Sequence, residues 1–90
     1  MPSLTQFTKG IKSQRFRTLF RKQIHDTEEL TGNLNRLKAA QAAERVFPWL
    51  NDLEHQWCET GLPTKNQQAI LDQLWESMNL LWDYCGVNER

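Results

Sequence analysis

Between residues 70 and 85 the apolar side chains arrive in steps of three and four: Ile70, Leu71, Leu74, Trp75, Met78, Leu81, Trp82 and Cys85. At 100° per residue they occupy one arc ~140° wide, which is the mark of a helix with a single buried face. Asp72, Glu76, Asn79 and Asp83 gather on the opposite side. A strand is excluded here, because a strand needs alternation with a period of two. Both ends carry boundary signals. Thr64 and Gln67 have the S/T-x-x-E/Q spacing of a capping box, in which each side chain serves the other's free backbone N–H. Gly86 stands where a left-handed residue ends a helix, a conformation glycine adopts without a Cβ clash. The spacing predicts a helix over 65–85.

Upstream, Ala39, Ala42, Val46, Trp49, Leu50, Leu53 and Trp57 share one face of a second helix, about 33–59. Pro48 falls inside it and must either kink the helix or start a new one. Phe47 is a poor N-cap, so a kink is the better reading. Gly61-Leu62-Pro63 makes a short connection, and helices joined so briefly pack antiparallel. That register sets Val46 opposite Met78, Leu53 opposite Ile70 and Ala42 opposite Leu81. It also lays Ala39, Ala40, Ala42 and Ala43 beside Leu81, Trp82 and Tyr84, small against large as a tight helix pair requires. Strand formers are scarce throughout, with two valines and three isoleucines in the chain, so the class is all-α.

A third, basic amphipathic helix is expected over about 13–31, with Phe16, Leu19, Phe20 and Ile24 as its apolar stripe. Its end has two readings. Thr31-Gly32-Asn33 reads as a C-cap glycine followed by an N-cap asparagine, giving a fold-back and a three-helix bundle. Against this, the stripe continues in phase through Thr27, Leu30, Leu34, Leu37 and Gln41, as in one long helix from Ser13 to about Arg45. The long helix would leave Leu30, Leu34 and Leu37 uncovered in a monomer and so imply a homodimer. The fold-back is preferred. Residues 1–12 read as a flexible N-terminal arm anchored by Leu4, Phe7 and Ile11, and 13–90 as a single small helical domain.

Charge is the strongest functional signal. Eleven Lys and Arg balance eleven Asp and Glu, yet residues 1–25 hold Lys9, Lys12, Arg15, Arg17, Arg21 and Lys22 and no acid. The remainder carries all eleven acids against five bases. Segregation of this kind concerns partners rather than fold. The six cations suit docking on a larger protein partner with an acidic surface. The second reading is contact with nucleic-acid phosphates, sequence-independent and salt-sensitive. A membrane-surface helix and an organelle transit segment rank lower. The competing structural reading is that the acidic face of Asp72, Glu76 and Asp83 lies beside this helix and neutralises it.

Signals for chemistry are weak. His55 and Cys58 sit three apart on one helix, but zinc needs further ligands, and Cys85 and His25 are too far off to converge on them. Ser3, Ser13 and Ser77 lack a nucleophile elbow, and no phosphate-binding glycine loop occurs. No catalytic residue, metal or cofactor is expected. The two cysteines make no disulfide framework, and the apolar runs fall far short of the ~20 residues that span a bilayer. Four tryptophans in 90 residues is a high density, and tryptophan is enriched in cores and at interface hot spots. Trp75, Trp82 and Tyr84, with Leu80, form the candidate apolar patch. The sequence therefore reads as a cytoplasmic, non-enzymatic interaction protein, whether adaptor, inhibitor or assembly subunit. It would use charged helix faces and an aromatic patch.

Overall fold

The computed structural model describes residues 4–24, 35–59 and 61–86. Among them the chain forms four helices and no strand: α1 (Leu4–Thr8), α2 (Gln14–Gln23), α3 (Arg36–Glu59) and α4 (Lys65–Cys85). The fold is all-α. Helix α4 has the boundaries its stripe predicts. The capping box is complete: the Gln67 N–H donates to Thr64 Oγ1 at 3.1 Å, and the Thr64 N–H donates to Gln67 Oε1 at 3.0 Å. Gly86 closes the helix in the left-handed conformation, φ 88°.

Helix α3 runs unbroken through Pro48. Proline has no N–H for the Glu44 carbonyl, but both residues lie on the exposed side, where water can serve that oxygen. The N-cap is Asn35, whose Oδ1 accepts from the Lys38 N–H at 2.8 Å; Gly32 and Asn33 lie outside the described residues. α3 and α4 pack as the antiparallel hairpin that forms most of the core. Ala39, Ala42, Ala43, Val46 and Leu50 from α3 are buried with Leu71, Leu74, Met78 and Leu81 from α4. Leu53 and Ile70 sit half-buried at the edge.

Helix α2 is shorter than the sequence suggests. Ser13 caps its start, and it stops at Gln23 because Ile24 turns into extended backbone, φ −86° and ψ 105°. α2 itself does not run on to 31, and no single helix reaches from Ser13 to Arg45; residues 25–34 lie outside the described residues. Ring contacts show the direction that follows: Phe16 meets Trp57 at 5.4 Å and Phe20 meets Trp49 at 6.3 Å between centroids. An earlier residue of α2 meets a later residue of α3, so the two run antiparallel and the chain reverses between Ile24 and Asn35. The fold-back is the arrangement adopted. Leu30 and Leu34, on which the dimer argument rested, lie outside the described residues, while Leu37 is exposed. Phe20 and Ile24 are fully buried, and covering two such side chains is worth roughly 3–6 kcal/mol. That gain is available on the flank of the hairpin and absent from a projecting helix.

The arm expected over 1–12 differs most from what is found. From residue 4 onward it contains α1 and a turn that belong to the core: Thr8 and Ile11 are fully buried, and Phe7 nearly so. The Phe7 ring packs on Tyr84 at 5.6 Å. The Lys12 N–H donates to Gln73 Oε1 at 2.9 Å, which ties the turn to α4. A five-residue helix is too short to show a period, so its anchoring was invisible to pattern reading. α1 and α2 together cover one flank of the α3–α4 hairpin.

The capping box predicts that Thr64→Ala lowers stability by about 1 kcal/mol, while Thr64→Ser stays close to wild type. Circular-dichroism melts of the two variants check this; equal loss in both would mean that the Thr64 hydroxyl bond contributes nothing.

Candidate functional site

Residues two apart on a helix are separated by about 200° and so face nearly opposite ways. Three such pairs define the molecule's two flanks. Trp49 packs under Phe20 of α2, and Phe47 points away from it. Tyr84 packs on Phe7 of α1, and Trp82 points away. Gln73 holds the turn at Lys12, and Trp75 points away. Phe47, Trp75 and Trp82 therefore share the flank that α1 and α2 leave uncovered. There they touch one another, with centroid separations of 6.0 Å for Phe47–Trp75, 5.6 Å for Phe47–Trp82 and 6.4 Å for Trp75–Trp82. The Trp75 indole N–H donates to the Glu54 carboxylate, which fixes the ring and satisfies its one polar atom. Next to the rings lies an open groove of about 270 Å³, lined by Ala40, Ala43, Glu44, Phe47, Trp82 and Cys85. The alanines make its floor. Phe47 is 40% exposed.

The four residues expected as one apolar patch are thus divided. Trp75 and Trp82 are together. Tyr84 belongs to the opposite flank, under α1, and Leu80, 42% exposed, is set on α4 well round from both tryptophans. The error has a simple source: Tyr84 is close to Trp82 in number and remote in helical phase. Phe47, absent from the expected patch, joins the two tryptophans, although a signal for its placement existed. It is a large apolar side chain off the stripe of α3, and such a residue lies at the edge of a core or outside it.

The six cations are also divided. Arg17 and Arg21 turn inward. Arg21 donates from Nε and Nη2 to the buried Thr8 Oγ1 at 3.3 and 3.1 Å, and Arg17 donates from Nη1 to the Ile11 carbonyl at 3.5 Å. Their guanidinium groups hold α1 and its turn against α2. Lys9, Lys12, Arg15 and Lys22 are exposed on the outside of this layer. Arg15 lies 5.6 Å from the ring of Phe16. Among the described residues no ion pair joins Lys9, Lys12, Arg15, Arg17 or Lys22 to a carboxylate. The acidic face of α4 does not neutralise them, because α2 lies along α3 and α1 meets α4 on its Gln73–Tyr84 side.

His55 and Cys58 are exposed near the end of α3, and the Cys85 thiol donates to the Trp82 carbonyl at 3.3 Å. Among the described residues no three His, Cys, Asp or Glu side chains are grouped to hold a metal ion; His25 lies outside them. No described helix is long and apolar enough to cross a membrane. No protein-family model matches the chain, and no curated protein or solved structure is significantly similar to it.

The division of the cations predicts a division in stability. Arg21→Ala, which strips a buried hydroxyl of a charged donor, should lower stability by about 1–3 kcal/mol. Arg15→Ala and Lys22→Ala should each stay within about 0.5 kcal/mol of wild type. Urea unfolding measures all three, and a harmless Arg21→Ala would contradict the inward role.

Proposed function

We propose that the chain is a non-enzymatic interaction protein that docks on a larger protein carrying an acidic surface, as an adaptor, inhibitor or assembly subunit would. One observation carries this reading: Lys9, Lys12, Arg15 and Lys22 are exposed on the outside of the α1–α2 layer, with no described carboxylate paired to any of them. Arg15 and Lys22 are seven residues apart, which is two turns and ~10.5 Å along α2. Charge carried on a packed layer can steer an encounter and fix its register. Arg17 and Arg21 contribute by holding that layer in place, not by contact.

The same four cations support a second reading, contact with nucleic-acid phosphates. Two features favour protein over nucleic acid. The chain's formal net charge is zero, so the acidic hairpin opposes the approach of a polyanion. The ring side chains of α1 and α2, Phe7, Phe16 and Phe20, are turned into the fold, leaving none on the basic surface to stack on a base.

Two measurements separate the readings. Tagged wild-type chain and the Lys9→Glu/Lys12→Glu/Arg15→Glu/Lys22→Glu variant are used to capture proteins from the native host at ~50 mM salt, where surface charge is least screened. The proposal expects an acidic protein retained by wild type and lost from an equally folded variant. Identical capture by both would remove the basic layer from the account. Anisotropy with a labelled random duplex covers the second reading: binding that falls linearly in log–log form with salt would transfer the surface to nucleic acid.

A further inference from the structure

The flank opposite the basic layer carries a second docking site of different chemistry. We infer that the groove beside Phe47, Trp75 and Trp82 receives an amphipathic helix of a partner protein, with an apolar stripe flanked by Lys and Arg. This goes beyond the proposed function, since it uses other residues and the opposite sign of charge.

The shape suits a helix. α3 and α4 run side by side with small residues, Ala40 and Ala43, at the base of the groove between them. Trp75 and Trp82 stand two turns apart along α4, ~10.5 Å, matching the i to i+7 spacing of a helical stripe. On the other flank the same hairpin already accepts a helix in this way, since α2 lies along α3 with Phe16 and Phe20 against Trp57 and Trp49. The groove, at about 270 Å³, is smaller than the ~300–1,000 Å³ of small-molecule pockets and is fitted to an anchoring side chain. Trp75 already has its hydrogen bond from within the chain, so apolar contact is what the rings offer.

Charge selects the occupant. Glu44 lines the groove on the α3 side, and on α4 Asp72 is exposed about 60° round the helix beyond Trp75. From Asn66 to Gly86 the chain contains no Lys or Arg. An apolar helix with basic flanks would meet carboxylates on both rims. A second copy of this chain is a poor occupant by the same logic. Its own groove would bring acidic rim against acidic rim. Its basic layer would bring cations without apolar filler, because the large apolar side chains of that layer with the deepest burial, Phe7, Ile11, Phe20 and Ile24, face inward.

The test uses the full chain and two synthetic 18-residue helical peptides, identical in their leucine stripe, one flanked by lysines and the other by glutamates. Labelled peptide anisotropy gives the affinity, and indole emission reports whether Trp75 and Trp82 are covered. The lysine peptide should bind, blue-shift the emission and bind at least about tenfold more tightly than the glutamate peptide, a difference of about 1.4 kcal/mol. Glu44→Lys/Asp72→Lys should weaken it by about tenfold. Asp52→Lys/Glu59→Lys changes the net charge equally at exposed positions away from the groove and should leave the affinity unchanged. Equal loss in both double variants would reduce the effect to net charge and overturn the site. So would equal binding of the two peptides, no binding, or a dimer in light scattering that Trp82→Ala abolishes. Reversing Lys9, Lys12, Arg15 and Lys22 leaves this experiment intact, so either proposal can fail alone.

Discussion

A hairpin of two helices has two flanks, and the described residues supply one further layer to lay over them. The packing of Phe16 and Phe20 on Trp57 and Trp49 decides which flank is covered. Once α2 is there, α1 is drawn to the same side, with Phe7 on Tyr84 and the Lys12 N–H on Gln73. The remaining aromatic rings, Phe47, Trp75 and Trp82, pack on one another, and the two tryptophans also rest against the core. Three large rings in mutual contact reduce their exposed area but leave it apolar.

The same constraint sorts the charges. Holding a short helix such as α1 in place takes polar groups that reach across the layer. Arg17 and Arg21 provide this through the Ile11 carbonyl and the Thr8 hydroxyl, both of them neutral acceptors. The cations outside the layer keep their charge toward solvent, and the acids of α4 keep theirs on a different side.

How much of this was legible in the sequence depended on segment length. α4 could be read to the residue, because 21 residues hold enough turns for a stripe, a capping box and a terminal glycine to agree. α3 was readable through Pro48, since the phase of its stripe survives the proline. α2 was overextended, because Leu30, Leu34 and Leu37 happen to stay in phase beyond the point where Ile24 leaves the helix. α1 has no readable period at five residues, and its burial follows from tertiary contacts with Tyr84 and Gln73. At the candidate sites, adjacency in number was misleading. Tyr84 was grouped with Trp82, although two positions on a helix place them on opposite flanks. Of six cations treated alike, two turned out to be internal ties, which only the position of Thr8 and Ile11 reveals.

The two-flank arrangement is tested most directly by nuclear Overhauser contacts among the aromatic protons of the folded chain. The account predicts cross-peaks of Phe16 with Trp57, Phe20 with Trp49 and Phe7 with Tyr84, and a separate network joining Phe47, Trp75 and Trp82. A cross-peak from Phe7, Phe16 or Phe20 to Trp75 or Trp82 would place the α1–α2 layer over the groove, contradicting the arrangement and removing the surface it leaves open.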